Sequence, residues 1–154
     1  FSIVPKPVVG DGMVYIGTSF MRPQLIALDI TGAKPVIAWR CKRSVPAISS
    51  PLLVGGEIYF VSDSGGMVSC LDSRTGKEQW RERIGGNHSA SPLYAGGRLL
   101  FHSKEGETTA LKPGRKFEIL TRNKLDGGHY ASAAVSGDAL FLRTDKALYR
   151  VEKQ

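Results

Sequence analysis

The chain has 154 residues, 42% hydrophobic and 23% charged, enough for one ordinary domain with a buried core and unlike a disordered segment. No apolar run approaches the roughly 18 residues of a membrane-spanning helix. The net charge of +7 admits an anionic partner, but the cations are scattered without interleaved aromatics, which argues against nucleic acid. Cys41 and Cys70 are neither adjacent nor a CxxC pair, so they define no disulfide framework and no metal site, and both are expected to be unpaired. The chain opens at Phe1 without a charged-then-apolar leader and reads as a processed or trimmed piece.

The first element pair is PVVGDGMVYIGT from Pro7, an apolar run, a Gly10-Asp11-Gly12 turn and a second apolar run. Apolar–polar alternation follows in Leu25-Ile26-Ala27-Leu28-Asp29, then a turn leading to Trp39. The unit restarts as PLLVGGEIYFVS at Pro51, PLYAGGRLLFHS at Pro92 and AAVSGDALFLRT at Ala133, at intervals of 44, 41 and 41 residues. The third run recurs as Met67-Val68-Ser69-Cys70-Leu71-Asp72, Thr109-Ala110-Leu111 and Ala147-Leu148-Tyr149-Arg150-Val151. In the second unit the strands are expected over about 47–54, 57–62, 67–72 and 78–84. The innermost strand should carry Ser50-Pro51 or Ser91-Pro92, and the outermost the tryptophan.

Four short strands of period two in about 40 to 45 residues, with no 3.6-residue stripe, are the module of a β-propeller blade. The expected fold is therefore all-β: a propeller segment of four-stranded antiparallel blades at about 1–44, 45–86, 87–127 and 128–154. The fourth lacks its outermost strand. Basic residues follow the outer aromatics: Arg40, Lys42 and Arg43 after Trp39, and Arg81 and Arg83 after Trp80. Charges on an edge strand discourage edge-to-edge pairing.

The run Cys70-Leu71-Asp72-Ser73-Arg74-Thr75-Gly76-Lys77-Glu78-Gln79-Trp80 resembles the tryptophan-docking motif of the pyrroloquinoline-quinone (PQQ)-type, quinoprotein-like propeller repeats, Ala-x-Asp-x-x-Thr-Gly-x-x-x-Trp. Cys70 replaces the leading Ala. The first unit keeps Ala27, Asp29, Thr31-Gly32 and Trp39, one residue short before Thr-Gly and three long before the Trp. The third keeps Ala110 but has Pro113-Gly114 and Phe117, and the fourth keeps only Ala147. Packing explains these residue types. A small side chain fits between blades, Asp72 can accept N–H groups of its turn, Gly76 takes positive φ, and Trp80 buries a large surface while its indole N–H needs a partner.

Quinone-dependent dehydrogenases of this family use a vicinal Cys-Cys disulfide, a calcium site and a catalytic Asp. Cys41 and Cys70 cannot be vicinal, and Asp29 and Asp72 belong to the docking motif. Hence no catalytic, cofactor-binding or metal-ligating residue is assigned, and no quinone, metal or nucleotide is expected. The resemblance is to the family's non-catalytic branch, which includes the lipoprotein of the outer-membrane β-barrel assembly machinery. It implies a non-enzymatic scaffold or protein-interaction module of an exported bacterial protein, periplasmic or otherwise extracytoplasmic, with a protein partner. The rival readings are a segment of a quinoprotein dehydrogenase and a sensor domain of a signalling protein. Rings of this family usually have seven or eight blades. The four units are thus expected to be the C-terminal half of a larger propeller, closed by an N-terminal half or a second copy of the chain.

His88 and His129 occupy one repeat position, 41 residues apart, just before the inner strands. They read as strand-entry histidines satisfied locally. The functional alternative is a pair facing the central channel, able to bind a metal or an anion. His102 and Arg143 match each other at the end of the second strand.

Overall fold

The computed structural model describes residues 3–19 and 21–152. Each repeat unit forms one antiparallel meander, and no helix occurs among the described residues. The first sheet runs in order β1 (Val8–Gly10), β2 (Met13–Thr18), β3 (Gln24–Asp29), β4 (Val36–Cys41). The second holds β5 (Leu52–Val54), β6 (Glu57–Val61), β7 (Met67–Asp72) and β8 (Glu78–Arg83). The third holds β9 (Leu93–Ala95), β10 (Arg98–His102), β11 (Glu107–Leu111) and β12 (Ile119–Lys124). The fourth has three described strands, β13 (Ala134–Ser136), β14 (Ala139–Arg143) and β15 (Leu148–Glu152). The architecture is all-β, with propeller blades. The two-residue hairpin between β5 and β6 takes φ of 61° at Gly55 and 83° at Gly56, a left-handed pair that only glycine adopts cheaply.

Both faces of the second blade are apolar because each packs on a neighbour. Along β6, Ile58 and Phe60 face the first blade with Met13, Tyr15 and Leu25, while Tyr59 and Val61 face the third with Leu99 and Phe101. Alternation of period two therefore serves two cores at once.

The innermost strands are shorter than expected. Ser50-Pro51 and Ser91-Pro92 precede β5 and β9 rather than lying in them. Proline offers no N–H to a ladder. The preceding backbone instead bonds to side chains: Ala47 N–H and Ile48 N–H donate to the Asp63 carboxylate at 2.7 and 3.3 Å. A serine ladder then joins the blades. Lys6 N–H donates to Ser50 Oγ at 2.8 Å, Ser50 N–H to Ser91 Oγ at 2.9 Å, and Ser91 N–H to Ser132 Oγ at 2.9 Å.

Candidate functional site

Three features concentrate the polar chemistry: the clasps between blades, the turns that receive them, and a group of buried histidines. In the first blade Tyr15 on β2 pairs with Ala27 on β3, which pairs with Trp39 on β4. The small Ala27 lets the two rings meet over it, with centroids 5.9 Å apart. Both donate to one acceptor in the next blade, the Ser73 carbonyl, from Trp39 Nε1 at 2.8 Å and Tyr15 OH at 3.2 Å. Trp39 is half-buried.

The receiving turn is shaped by Asp72 and Gly76. Asp72 Oδ1 accepts from Thr75 N–H at 2.9 Å and Thr75 Oγ1 at 2.8 Å. These bonds hold its carboxyl below the usual carboxylate range. Gly76 has φ of 71°, and a Cβ placed there would stand 2.6 Å from Cδ2 of the Trp39 ring. The turn after β3 repeats the carboxylate bond, with Thr31 N–H and Oγ1 donating to Asp29 Oδ1 at 2.8 and 2.6 Å. Gly32 in that turn is exposed.

The second clasp repeats the first. Tyr59, Cys70 and Trp80 stand in register across β6, β7 and β8, with the rings 6.0 Å apart. Trp80 Nε1 donates to the Gly114 carbonyl at 2.9 Å, and Gly114 N–H donates to Tyr59 OH at 2.8 Å. Burial pushes the Cys70 thiol up to about 12 and raises the Tyr59 phenol as well. Cys41 and Cys70 are both free. Arg115 adds an ion pair across the same boundary, with Nε 3.0 Å from the buried Glu57 carboxylate and Nη2 3.4 Å from Asp72.

Two motif assignments need correction. Phe117 does not stand where Trp39 and Trp80 stand; the residue paired with Ala110 is Thr121. The loop before β12 is closed by Lys112 N–H donating to the Glu118 carbonyl at 3.0 Å, which leaves Phe117 outside the strand. Phe117 instead packs edge-on against Trp80 of the preceding blade, centroids 5.2 Å apart. Ala147 lies in the turn before β15 and is exposed, because Thr144 Oγ1 accepts its N–H at 3.0 Å. Arg150, paired with Phe141, takes the position of Ala27, Cys70 and Ala110. Arg81 also differs from an exposed edge charge. Its side chain is 6% exposed, pairs with Glu78 at 2.7 Å and donates through Nε to Ser69 Oγ at 3.0 Å.

His88 and His129 are each 1% exposed, so neither faces open solvent. His88 lies between two backbone carbonyls, with Nδ1 2.9 Å from that of His102 and Nε2 2.9 Å from that of Gly85, and whichever nitrogen carries the proton donates. His102 completes the group, with its ring 5.4 Å from that of His129 and Nδ1 2.9 Å from Thr108 Oγ1. Among the described residues, the Nε2 atoms of His102 and His129 have no hydrogen-bond partner. Burial and the neighbouring His129 and His88 hold His102 at about 4, and burial lowers His129. The equivalence of His102 and Arg143 was visible as a repeat match, but not the meeting of His102 with His129.

Among the described residues, no three His, Cys, Asp or Glu side chains are grouped to hold a metal ion. The residues present do not fit a quinone–calcium site. Cys41 and Cys70 lie on different blades, and Asp29 and Asp72 are bonded within their own turns.

These features define a PQQ-type propeller segment whose motif residues join one blade to the next. A family profile described as outer membrane protein assembly factor BamB matches residues 2–117, and the chain belongs to that PQQ-type family. No curated protein sequence matches the chain. Its structure is similar to BamB from Moraxella catarrhalis, at TM-score 0.74 and 17% identity over 95% of this chain and 41% of that one. It is equally similar in fold to the quinohemoprotein alcohol dehydrogenase from Comamonas testosteroni, at TM-score 0.74 and 16% identity over 93% of this chain and 29% of the enzyme. The computationally designed Ika4 protein matches at TM-score 0.71 and 10% identity, over 95% of this chain and 88% of the design. The chain thus spans about two fifths of the BamB chain and under one third of the dehydrogenase. At these identities the likeness is one of fold.

Proposed function

We propose that the chain is a non-enzymatic scaffold and protein-interaction segment of an exported bacterial protein, working outside the cytoplasm. The observation that carries this reading is where the motif's polar groups go. Tyr15, Trp39, Tyr59 and Trp80 all bond to the backbone of the next blade, and Asp29 and Asp72 to their own turns. Such a device builds a rigid surface and leaves its carboxylates engaged. Membership of the BamB family supports the same reading and the extracytoplasmic location. No helix among the described residues is long and apolar enough to cross a membrane.

The four sheets are proposed to be the blades 1–44, 45–86, 87–127 and 128–154 of a larger ring, its C-terminal half. The 41% coverage of the BamB chain supports a larger ring. Further blades, or a second copy of the chain, would cover the outer faces of the first and fourth sheets. The fold likeness to the alcohol dehydrogenase supports a second reading, a quinoprotein segment. The deciding experiment is a dye-linked alcohol oxidation assay on the full-length protein reconstituted with PQQ and calcium. The scaffold reading expects no alcohol-dependent dye reduction, and steady turnover would replace it with the dehydrogenase reading.

A further inference from the structure

Charge is distributed unevenly between the two ends of the blades. One end carries the turns from second to third strand and the links from each outermost strand to the next innermost one. Ile84 N–H donates to the Gly66 carbonyl at 2.9 Å and Leu125 N–H to the Gly106 carbonyl at 3.0 Å, which holds each link against such a turn. Lys42, Arg83 and Lys124 stand where β4, β8 and β12 run into these links, at intervals of 41 residues. Arg43 follows Lys42 directly. The links that begin at Lys42 and after Arg83 each run between two described sheets.

The carboxylates of this end are engaged within the fold. Asp63 accepts the Ala47 and Ile48 N–H groups, and Asp145 accepts Gly128 N–H at 2.7 Å. Glu105 accepts from Asn87 N–H at 2.9 Å and from its Nδ2 at 2.8 Å. Asp126 pairs with Lys146, and Glu107 with Arg122. Glu82 alone of the acids near this end makes no such bond among the described residues. Lys42, Arg43, Arg83 and Lys124, by contrast, are exposed, and none makes an ion pair among the described residues. The other end is balanced, since Asp11, Asp29, Glu57, Asp72, Glu118 and Asp138 all lie in or beside its turns among the cations there.

We propose that this basic end docks on an anionic lipid surface, with Lys42, Arg43, Arg83 and Lys124 beside the headgroup phosphates. The blade period spreads these cations over three sheets at one end, which suits a plane of headgroups better than one short acidic peptide. Unneutralised cations on one face create a field that attracts such a plane. Each Lys or Arg near an anionic leaflet strengthens binding by about fivefold, and salt screens the attraction. The surface needs only this arrangement of charge and does not depend on the scaffold reading.

The test is co-sedimentation of the full-length protein with vesicles of phosphatidylcholine, alone or with about 30% phosphatidylglycerol. Any other contact with the bilayer is common to both vesicles. Partition is expected to be stronger on the anionic vesicles, and the difference should vanish as salt rises from about 0.1 to 1 M. Replacing Lys42, Arg43, Arg83 and Lys124 together by Gln should weaken anionic partition at least a hundredfold and leave the melting temperature unchanged. Replacing Lys34, Lys77, Arg98 and Lys116 by Gln removes the same charge from the other end, also at exposed positions, and should leave partition within about threefold of the parent. Equal partition onto the two vesicles overturns the proposal, as does an equal loss in both variants, which would make net charge rather than this end the cause. Saturable binding of hexaglutamate without preference for the anionic vesicles would overturn it in favour of an acidic protein partner.

Discussion

The indole N–H of Trp80 donates to the carbonyl oxygen of Gly114 at 2.9 Å, so the outer strand of the second blade is fastened to a turn of the third. Trp80 is 8% exposed and also meets Tyr59 and Phe117. Trp80→Ala should lower the unfolding free energy by about 3–5 kcal/mol, the cost of emptying a large aromatic site. Trp39→Ala should cost less, since Trp39 is half-buried. Denaturant unfolding of the two variants checks the order, and an unchanged midpoint for Trp80→Ala would contradict the clasp.

Gly76 couples the same device to backbone conformation. Its φ of 71° disfavours any side chain, and the Trp39 ring occupies the space a Cβ would take. Gly76→Ala should destabilise by about 1–3 kcal/mol. In a Trp39→Ala background the loss should shrink, because only the backbone strain remains. A double-mutant cycle measures this. Additivity would mean the ring and the glycine do not interact.

Ser91 takes part in the ladder around the innermost strands, accepting from Ser50 N–H and donating its own N–H to Ser132 Oγ. Ser91→Ala leaves the Ser50 amide without that acceptor and should cost about 1 kcal/mol. Hydrogen exchange should show faster exchange at the Ser50 amide. Unchanged protection there would show that the ladder contributes nothing to holding adjacent blades.

His102 makes stability depend on pH. Its ring stays neutral down to about 4, because burial and the adjacent His129 and His88 oppose the charge. In the unfolded chain a histidine titrates near 6.5. Between these values the unfolded state binds more protons, so stability is full above about 6.5 and falls as pH drops toward 4. The displacement corresponds to a loss of about 3 kcal/mol at about 1.4 kcal/mol per unit. His102→Gln should flatten this dependence in denaturant titrations run from pH 7 to pH 4. An identical slope in that variant would assign the pH dependence to other groups.

The blade pattern was legible because a propeller repeats its hairpins at near-constant spacing, and the glycine turns at 55–56 and 96–97 mark them directly. The docking sequence 70–80 announced the clasp of the second blade. Phe117 misled because aromatic identity and approximate spacing suggested a docking residue. Its register depends on a loop closed by a backbone hydrogen bond, which residue counting does not reveal. Ala147 misled in the same way, since the Thr144 turn shifts it out of β15. That Leu100 and Thr121 stand in the third blade where Tyr59 and Trp80 stand in the second followed only from the paired registers of β10, β11 and β12. The contact of His102 with His129 joins residues of adjacent blades, which a repeat match shows to be equivalent to others but not to touch.

The central claim is that this PQQ-type segment belongs to a scaffold rather than a quinone enzyme. The most direct measurement is an absorbance titration of the full-length protein with PQQ in the presence of calcium, followed by removal of free quinone. The account predicts that no quinone is retained. Retention of one equivalent of quinone per protein, with a calcium-dependent shift of its absorbance, would contradict it.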